Sequence, residues 1–486
     1  MKLNKILSGL DIVSISGDSG RDISGLTFDS RTCRDGALFI AVSGTEADGH
    51  AYIGKAVAAG AAAVIYQNDG VDTAAAPQVT WIKVADSRRA LALAADNWYD
   101  HPSGKLNLVG ITGTNGKTTT VTLLYNLFMS PGWSCGLLST IANYIDGERL
   151  EASHTTPDPI ELNALLARMV DKGCNYCFME VSSHAIDQQR IAGLDFKVAI
   201  FSNLTHDHLD YHKTFAAYRD CKKRFFDGLP KNAFALTNLD DRNGEVMVQN
   251  TQAQIRTYAC KRMADFRCKI IEENLEWMLV SLDGTQVWTR FIGAHNAYNL
   301  LAVYSTAVLL GANPEEVLVK MSALGPVAGR LDFLRGGNDL TAVVDYSHTP
   351  DALENALRTL RETACDRCLV CVFGCGGNRD RTKRPEMGVI AAKYADRVVV
   401  TSDNPRHEDP EEIIREIRAG MDTAAQARSL FITDRREAIR TALMTAPQGA
   451  VILVAGKGHE DYQIIGDTKH HFDDKEVIAE TFEEMK

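Results

Sequence analysis

The sequence contains no apolar run approaching the roughly 18 residues that a membrane-spanning helix needs, which excludes a helical membrane protein. Residues 1–10 carry two lysines but neither the apolar core nor the cleavage site of a signal peptide, so a cytoplasmic location is expected. Positive charge is also scarce: 52 Lys and Arg face 63 Asp and Glu, a formal net charge of −11. A general nucleic-acid binder needs a broad positive surface to displace counterions, so that class is excluded and any anionic substrate must be met by local basic clusters. A paired disulfide framework is missing too, because the eleven cysteines are odd in number and scattered, as reduced cytosolic thiols are. Cys365, Cys368, Cys371 and Cys375 have the CxxCxxCxxxC spacing of an iron–sulfur ligand run. The proline that usually follows the fourth cysteine is absent, however, and residues 368–373 read as a buried strand whose side chains alternate faces, so these cysteines are read as small core residues.

What is present is the composition of an ordinary globular protein, 45% hydrophobic and 24% charged, in a 486-residue chain too long for one core. At roughly 150 residues per domain, about three domains are expected. The most informative stretch is LVGITGTNGKTTT (residues 108–120), an apolar strand that breaks into glycines and ends in Lys-Thr-Thr. Gly113 and Gly116 let the backbone turn tightly and approach a polyphosphate, and Lys117 supplies a point charge. Thr118 offers a hydroxyl to a magnesium ion at the start of a helix expected over residues 119–129. The common nucleotide-binding pattern has a further glycine where this sequence has Ile111, so TGTNGKTT points to a subset of ATPases.

Upstream, residues 36–44 read as a strand, 53–66 as a helix passing into a strand and 81–86 as another strand. This small α/β unit is followed by an amphipathic helix over residues 86–100, and His101-Pro102-Ser103-Gly104 marks a boundary. Its Asp29-Ser30-Arg31 and Asp48-Gly49-His50 triplets fall in loops, where ligand contact or capping and turn duties would each suit them. Downstream of the phosphate loop, strand 176–179 ends at Glu180, and strand 198–203 runs into a loop carrying His206, Asp207, His208, Asp210 and His212. Carboxylates and imidazoles at the carboxyl ends of strands that follow a phosphate loop point to a metal–nucleotide site. A helix over residues 215–226 puts Tyr218 and Lys222 on one face, where spacing alone reads Lys222 as a solvated lysine. Residues 292–311 form a helix with Asn296 and Asn299 near its start, and Gly329-Arg330 reads as a hinge with a charged side chain. The last third repeats strand, loop and helix four times, beginning with strand 341–344 and its Asp345 and His348; this makes a parallel sheet with every loop at one edge.

Taken in order, TGTNGKTTT, MEVSSH, DHLDYH, YRDCK, NLDD, AHNAYN, GR, DYSHTPD, FGCGGNRD, DNPR and AGKGHEDYQ resemble the motifs of the Mur ligase family over nearly the whole chain. The likeness is greatest to those members that add the third residue of the peptidoglycan stem peptide. Ser347 stands where the family often has Ala and Asn378 where Asp is common, and neither departure removes a role. The resemblance implies an α/β protein of three domains: a small N-terminal α/β domain for the UDP-substrate (residues 1–104), a central P-loop ATPase with a parallel-rich sheet (105–332) and a C-terminal Rossmann-like domain for the amino acid (333–486). It implies a monomer that uses ATP and magnesium to join UDP-MurNAc-L-Ala-D-Glu, the UDP-MurNAc-dipeptide, to meso-diaminopimelate through an acyl phosphate, with L-lysine as the alternative amino acid.

The residues implied as catalytic are Lys117, Glu180, His208 and Lys222. Thr118, Glu180, His208 and Lys222 would surround magnesium, Lys222 as a carbamate (N6-carboxylysine). ATP would be held by Gly113, Thr114, Asn115, Gly116, Lys117, Thr118, Thr119, Asn296, Arg330, Asp345 and His348, and the UDP-linked dipeptide by Thr155, Thr156, Ser183, Gln188 and Arg190, with Ser30 at the uridine end. The amino acid would meet Arg379, Asp403, Asn404, Pro405, Arg406, Gly456 and Glu460. Arg406 can fork two hydrogen bonds to a distal carboxylate while Glu460 takes the distal ammonium, which favours diaminopimelate, since lysine would leave the guanidinium unmatched. A folylpolyglutamate synthase shares the ATPase logic but would leave the N-terminal unit and the DNPR loop unexplained. A noncatalytic nucleotide switch would be favoured by loss of Lys117, Glu180 or Lys222, and all three are present.

Overall fold

The strand Asn107–Thr112 lies inside an eleven-stranded sheet, hydrogen-bonded in parallel to Tyr176–Glu180 on one side and Phe196–Phe201 on the other. Its side chains alternate as a strand's must: Val109 and Ile111 enter the core beneath the helices Lys117–Phe128 and Ala294–Leu309, while Leu108 enters the core on the other face, with Pro159–Asp171 and Phe215–Asp227. Both faces are thus covered, which is why the stretch reads as a continuous apolar run. Gly110 has no alternative, because a Cβ there would lie 2.6 Å from the Phe196 ring and 2.8 Å from that of Phe225. This computed structural model describes residues 1–44, 47–129, 133–152 and 154–486.

The sheet has a parallel middle and antiparallel strands at both edges, Asn143–Ile145 and Glu148–Leu150 at one end and Met278–Leu282 and Thr285–Thr289 at the other. A five-stranded sheet precedes it, in the order Ile12–Ser16, Thr80–Val84, Ala63–Tyr66, Leu38–Ile40, Leu26–Thr27, with only its first pair antiparallel. A six-stranded sheet follows, in the order Asp332–Arg335, Thr341–Asp345, Val451–Ala455, Leu369–Phe373, Arg397–Val400, Ser429–Phe431, again with only the first pair antiparallel. The chain therefore has the expected α/β architecture: a small N-terminal unit, a central P-loop unit rich in parallel strands and a C-terminal Rossmann-like unit. Among the described residues no helix is long and apolar enough to cross a membrane.

Three expectations need correction. The helix after the phosphate loop begins at Lys117 rather than at residue 119, because Gly116 at φ +86° turns the chain directly into it. The fourth C-terminal strand, Val451–Ala455, runs into a hairpin, Tyr462–Ile465 with Thr468–His471, before its helix Asp474–Glu484. Cys371 and Cys375 are core residues as read, but Cys365 is exposed just beyond the helix Pro350–Ala364.

The helices Arg435–Met444 and Asp474–Glu484 are tied by an ion pair with both side chains fully buried: Arg435 Nε and Nη2 donate to Asp474 at 2.8 and 2.7 Å. Nη2 also donates to the carbonyl of Ala455 at 3.1 Å, which anchors the pair to the end of the strand that leads into the AGKGHEDYQ loop. Removing one partner strands a charge in the core. Asp474→Ala is expected to destabilise the C-terminal unit by about 3–5 kcal/mol in denaturant unfolding, with the Arg435→Met, Asp474→Leu double variant recovering most of the loss.

Candidate active site

The loop between strand and helix is held from several sides before any ligand enters. Gly113 (φ +154°) packs so tightly that a Cβ would fall 1.9 Å from Ser202 Oγ, and a Cβ on Gly116 would fall 2.4 Å from Asn299 Oδ1. Ser202 Oγ and Asn203 Nδ2 donate to the carbonyl of Asn115 at 2.7 and 3.0 Å, and the Asn115 amide returns a bond to Asn203 Oδ1 at 2.9 Å. Lys117 Nζ folds back onto the carbonyls of Gly113 (2.9 Å) and Thr114 (2.7 Å). Burial lowers the Lys117 pKa, against the raising effect of Glu180 and Asp207.

A cavity of about 350 Å³ opens over this loop and is lined by Thr155, Thr156, Glu180, Ser183, Arg190, His208, Lys222, Arg330 and His348, among others. Glu180 is 1% exposed; its Oε1 accepts the Thr140 amide at 2.8 Å and its backbone carbonyl accepts Thr156 Oγ1 at 2.9 Å. Lys222, read from spacing as solvated, is 1% exposed. The face it shares with Tyr218 turns inward, and its Nζ lies 4.9 Å from that ring, 3.0 Å from the Gly113 carbonyl and 3.2 Å from Thr112 Oγ1. Burial, and then the neighbouring Lys117, push its pKa well below the ordinary lysine value. His208 is pushed down to about 4, chiefly by burial and against the pull of Asp207, so its imidazole is neutral at neutral pH.

A hard divalent cation fits part of this set. The Thr118 hydroxyl and the Glu180 carboxylate are oxygen donors facing one cavity, whereas Lys222 offers a hard cation no oxygen: an ammonium has no lone pair and a free amine only a nitrogen. Among the described residues no group of three His, Cys, Asp or Glu could enclose an ion unaided, so phosphate and water oxygens would have to complete the shell.

A second cavity, of about 480 Å³, lies behind the loop and shares Asn115, Gly116, Thr119 and Arg330 with the first. Asn296, Asn299, Tyr298, Asp345 and Asp351 line it. The central and C-terminal units meet here, where Asn115 Nδ2 donates to Asp351 Oδ2 at 2.6 Å; Arg330, just before the boundary, donates Nη2 to Thr118 Oγ1 at 3.3 Å. Arg330 stacks over Tyr346, 4.6 Å from its centroid, and His348 Nδ1 sits 2.9 Å from the Tyr346 carbonyl.

In the C-terminal unit, Asp403 and Asn404 are buried at the carboxyl end of their strand and Glu460 stands beside them, its Oε2 accepting Asn404 Nδ2 at 2.9 Å. Burial and the Asp403 charge push the Glu460 carboxyl up, partly offset by Lys457. Arg406 follows Pro405 with φ +53° and donates Nη1 to the Gly377 carbonyl at 2.9 Å, and a Cβ on Gly456 (φ +119°) would lie 3.0 Å from Asp403 Oδ2. Arg379 donates to its neighbour's carbonyl, Asn378, at 3.3 Å.

Neither cavity is lined by the expected amino-acid residues, and of those expected to hold the UDP-linked dipeptide two stand apart from the first. Ser30 sits on its N-terminal loop, where Asp29 ties down the amide and side chain of Arg31. Gln188 lies outside the lining too, but its Oε1 accepts Arg190 Nε and Nη2 at 3.1 and 2.7 Å and so aims Arg190 inward. Asp48 and His50 do local work: Asp48 caps the turn Gly49–Tyr52, and His50 Nε2 accepts the amides of Gln67 and Asn68. Sequence reasoning missed His184, Tyr346 and Thr140 in the first cavity and Lys457 beside Glu460. Tyr346 and Lys457 lay within motifs already singled out, DYSHTPD and AGKGHEDYQ, whereas Thr140 had no signal.

Comparison with known proteins agrees along the whole length. Residues 22–99 match the Mur ligase family catalytic domain, 111–307 the Mur ligase middle domain and 329–458 the glutamate ligase domain of Mur ligases. The UDP-N-acetylmuramoyl-L-alanyl-D-glutamate–2,6-diaminopimelate ligase of Phocaeicola vulgatus is 53% identical over 483 residues, covering 99% of each chain. The protein of the same name from Clostridioides difficile is 40% identical over 494 residues, covering 100% of each. A solved structure under that name superposes with a TM-score of 0.70 at 31% identity, covering 100% of this chain and 99% of that one. A folylpolyglutamate synthase of Mycobacterium tuberculosis shares the fold, with a TM-score of 0.61 at 17% identity, but covers only 77% of this chain. With its phosphate loop, its buried Glu180 and Lys222 and its three units each matched in order, the chain belongs to the Mur ligase family.

Proposed function

We propose that the chain is an ATP-dependent ligase that adds meso-2,6-diaminopimelate to UDP-N-acetylmuramoyl-L-alanyl-D-glutamate in peptidoglycan precursor synthesis. The observation that carries the reading is the convergence on one cavity of the phosphate loop, Glu180, Lys222, Arg190, Arg330 at the end of the central unit and, from the C-terminal unit, His348. The full-length relatives bearing that activity in their names support it. Residues 1–104 would take the UDP end, 105–332 the ATP and 333–486 the amino acid.

The chemistry follows from a carboxylate's poor reactivity. An oxygen of the glutamate carboxylate forms a bond to the γ-phosphorus while the bridging bond to ADP breaks, giving an acyl phosphate. The amine then attacks the acyl carbon, the carbon–oxygen bond to phosphate breaks, and the surplus amine proton leaves to phosphate or solvent. Lys117 and Arg330 would balance charge on the moving phosphoryl group, and the second cavity, with Asn296 and Asp345, would take the nucleoside. Magnesium, held by Thr118, Glu180 and the neutral His208, would supply charge neutralisation at the phosphates. Thr155, Thr156, Ser183 and Arg190 would hold the dipeptide carboxylate in line, with Ser30 at the uridine end.

Lys222 is suited to carbamylation, since a buried lysine with a depressed pKa presents the free amine that attacks carbon dioxide. The carbamate would turn a repelling cation beside Lys117 into an anion. Lys222→Ala is expected to abolish ligation, with short carboxylic acids restoring part of it; full activity in the alanine variant would defeat the assignment.

Arg406 is half-buried and bonded in the structure to backbone carbonyls, leaving it able to receive a carboxylate. An unmatched charged partner costs several kcal/mol, so discrimination against lysine of roughly a thousandfold is expected. ATP-dependent phosphate release with the UDP-linked dipeptide and a panel of amino acids tests the function directly. Diaminopimelate should be preferred in kcat/KM and Arg406→Ala should lose most of that preference through KM; comparable use of lysine by the unmodified enzyme would refute it. Among the described residues the polar bonds between the central and C-terminal units include Asn115 to Asp351 and Arg335 to Glu276, both partly or fully exposed to solvent competition, so closure is expected to depend on ligands. Small-angle scattering should record compaction on adding an ATP analogue with the UDP-dipeptide, and an unchanged radius of gyration would count against it.

A further inference from the structure

Lys457 is fully buried in the loop after Val451–Ala455, and no role has been given to it so far. Its Nζ lies 3.2 Å from Asn404 Oδ1, 3.3 Å from Glu460 Oε2 and 3.6 Å from Asp403 Oδ1. Asp403 Oδ1 is buried and accepts no hydrogen bond, so that ion pair is what offsets its charge. Glu460 Oε2 is held twice, by Lys457 and by Asn404 Nδ2, while Oε1 points the other way, 3.5 Å from the Tyr346 hydroxyl. One lysine therefore ties together three side chains of the amino-acid set, Glu460 at the distal ammonium among them.

We propose that Lys457 is a positioning residue that holds the Glu460 carboxylate as a fixed anion, so that the site recognises a distal ammonium next to the distal carboxylate taken by Arg406. The proposal rests on the reading that the chain takes diaminopimelate. Two carboxylates, Asp403 and Glu460, share a buried site, and like charges so placed drive one of them to keep its proton unless a cation lies between them. A protonated Glu460 would lose its hold on an ammonium. The groups that face Glu460 are Asp403, Lys457, Tyr346 and Tyr462, with Arg406 and Arg435 further off; burial and Asp403 raise its pKa and Lys457 lowers it. Removing Lys457 takes away the lowering influence, so Glu460 would become an anion only at higher pH.

The test is the KM for diaminopimelate as a function of pH in Lys457→Met. It should rise roughly tenfold or more at about pH 7 and fall back towards the unmodified enzyme's value by about pH 9, each unit of displaced ionisation being about a factor of ten. A lysine with a merely structural role would raise KM equally at both pH values or lower kcat for every substrate. The double variant Lys457→Met, Asp403→Asn removes the repelling carboxylate, so its recovery should occur at lower pH than in the single variant. Should the single variant fail to fold, the double variant carries the test alone, and its KM must still fall as pH rises. An unchanged KM, a KM raised without pH dependence, or a double variant that recovers no earlier than the single one overturns the proposal. Failure of the unmodified enzyme to use diaminopimelate at all would overturn the functional reading instead.

Discussion

Two lysines converge on one carbonyl oxygen: Lys117 Nζ lies 2.9 Å and Lys222 Nζ 3.0 Å from that of Gly113. Burial lowers the pKa of both, Lys117 further lowers that of Lys222, and Arg330 further lowers that of Lys117. The arrangement is therefore short of negative charge, and the neutral His208 does nothing to supply it. Glu180 and Asp207 offset part of this at Lys117; on the proposed reading a polyphosphate on the Lys117 side and a carbamate on the Lys222 side would supply the rest. Gly113 itself must be glycine for the carbonyl to reach this place, and the parallel strand behind it must be buried on both faces for the loop to be rigid.

The reaction proposed above sets a second requirement, that an activated carboxylate and an incoming amine meet although different units would hold them. Tyr346 is the piece that spans the gap. Arg330 stacks on its ring, His348 and His459 pack 4.6 and 5.0 Å from it, and its hydroxyl reaches towards Glu460. The backbone supports this, because the Tyr346 amide donates to the Gly329 carbonyl at 3.0 Å and Gly329 leaves no room for a side chain beside His459. The segment read from sequence as a hinge is thus packed against the amino-acid loop, so motion there would move phosphate and amine contacts together.

Much of this was legible in the sequence because loops at strand ends carry their chemistry in short motifs: the phosphate loop, Glu180 after its apolar strand and His208 in DHLDYH all fall where the pattern placed them. Lys222 was legible only through the resemblance. Periodicity placed it on the Tyr218 face but not which way that face turned, and the answer depends on packing against Thr112 and Gly113, more than a hundred residues earlier in the chain. Thr140 is illegible for a related reason, since its amide, not its side chain, holds Glu180. Asp48 and His50 misled in the opposite sense: polar loop residues that could meet a ligand are satisfied by caps and by the Gln67 and Asn68 amides.

The selectivity proposed for the C-terminal unit would depend on preorganisation as much as on charge. Arg406 occupies a left-handed backbone conformation, φ +53°, which costs a side-chain-bearing residue about 1–3 kcal/mol and persists only where its surroundings over-determine it. They do so here: the Arg406 amide donates to the Ile464 carbonyl at 3.1 Å, and the Gly466 amide donates to the Arg406 carbonyl at 2.8 Å, so the hairpin after AGKGHEDYQ grips DNPR from outside. From inside, Gly377 leaves space for the Pro405 carbonyl, which a Cβ would meet at 1.9 Å, and its own carbonyl takes Arg406 Nη1. Beneath both loops, fully buried Arg384 joins Glu408 and Glu416 and bonds the Gly376 carbonyl at 3.2 Å. Three sequence-distant motifs thus fix one guanidinium, and a guanidinium fixed beforehand would lose little freedom to an arriving carboxylate, which is how the proposed contact would yield discrimination.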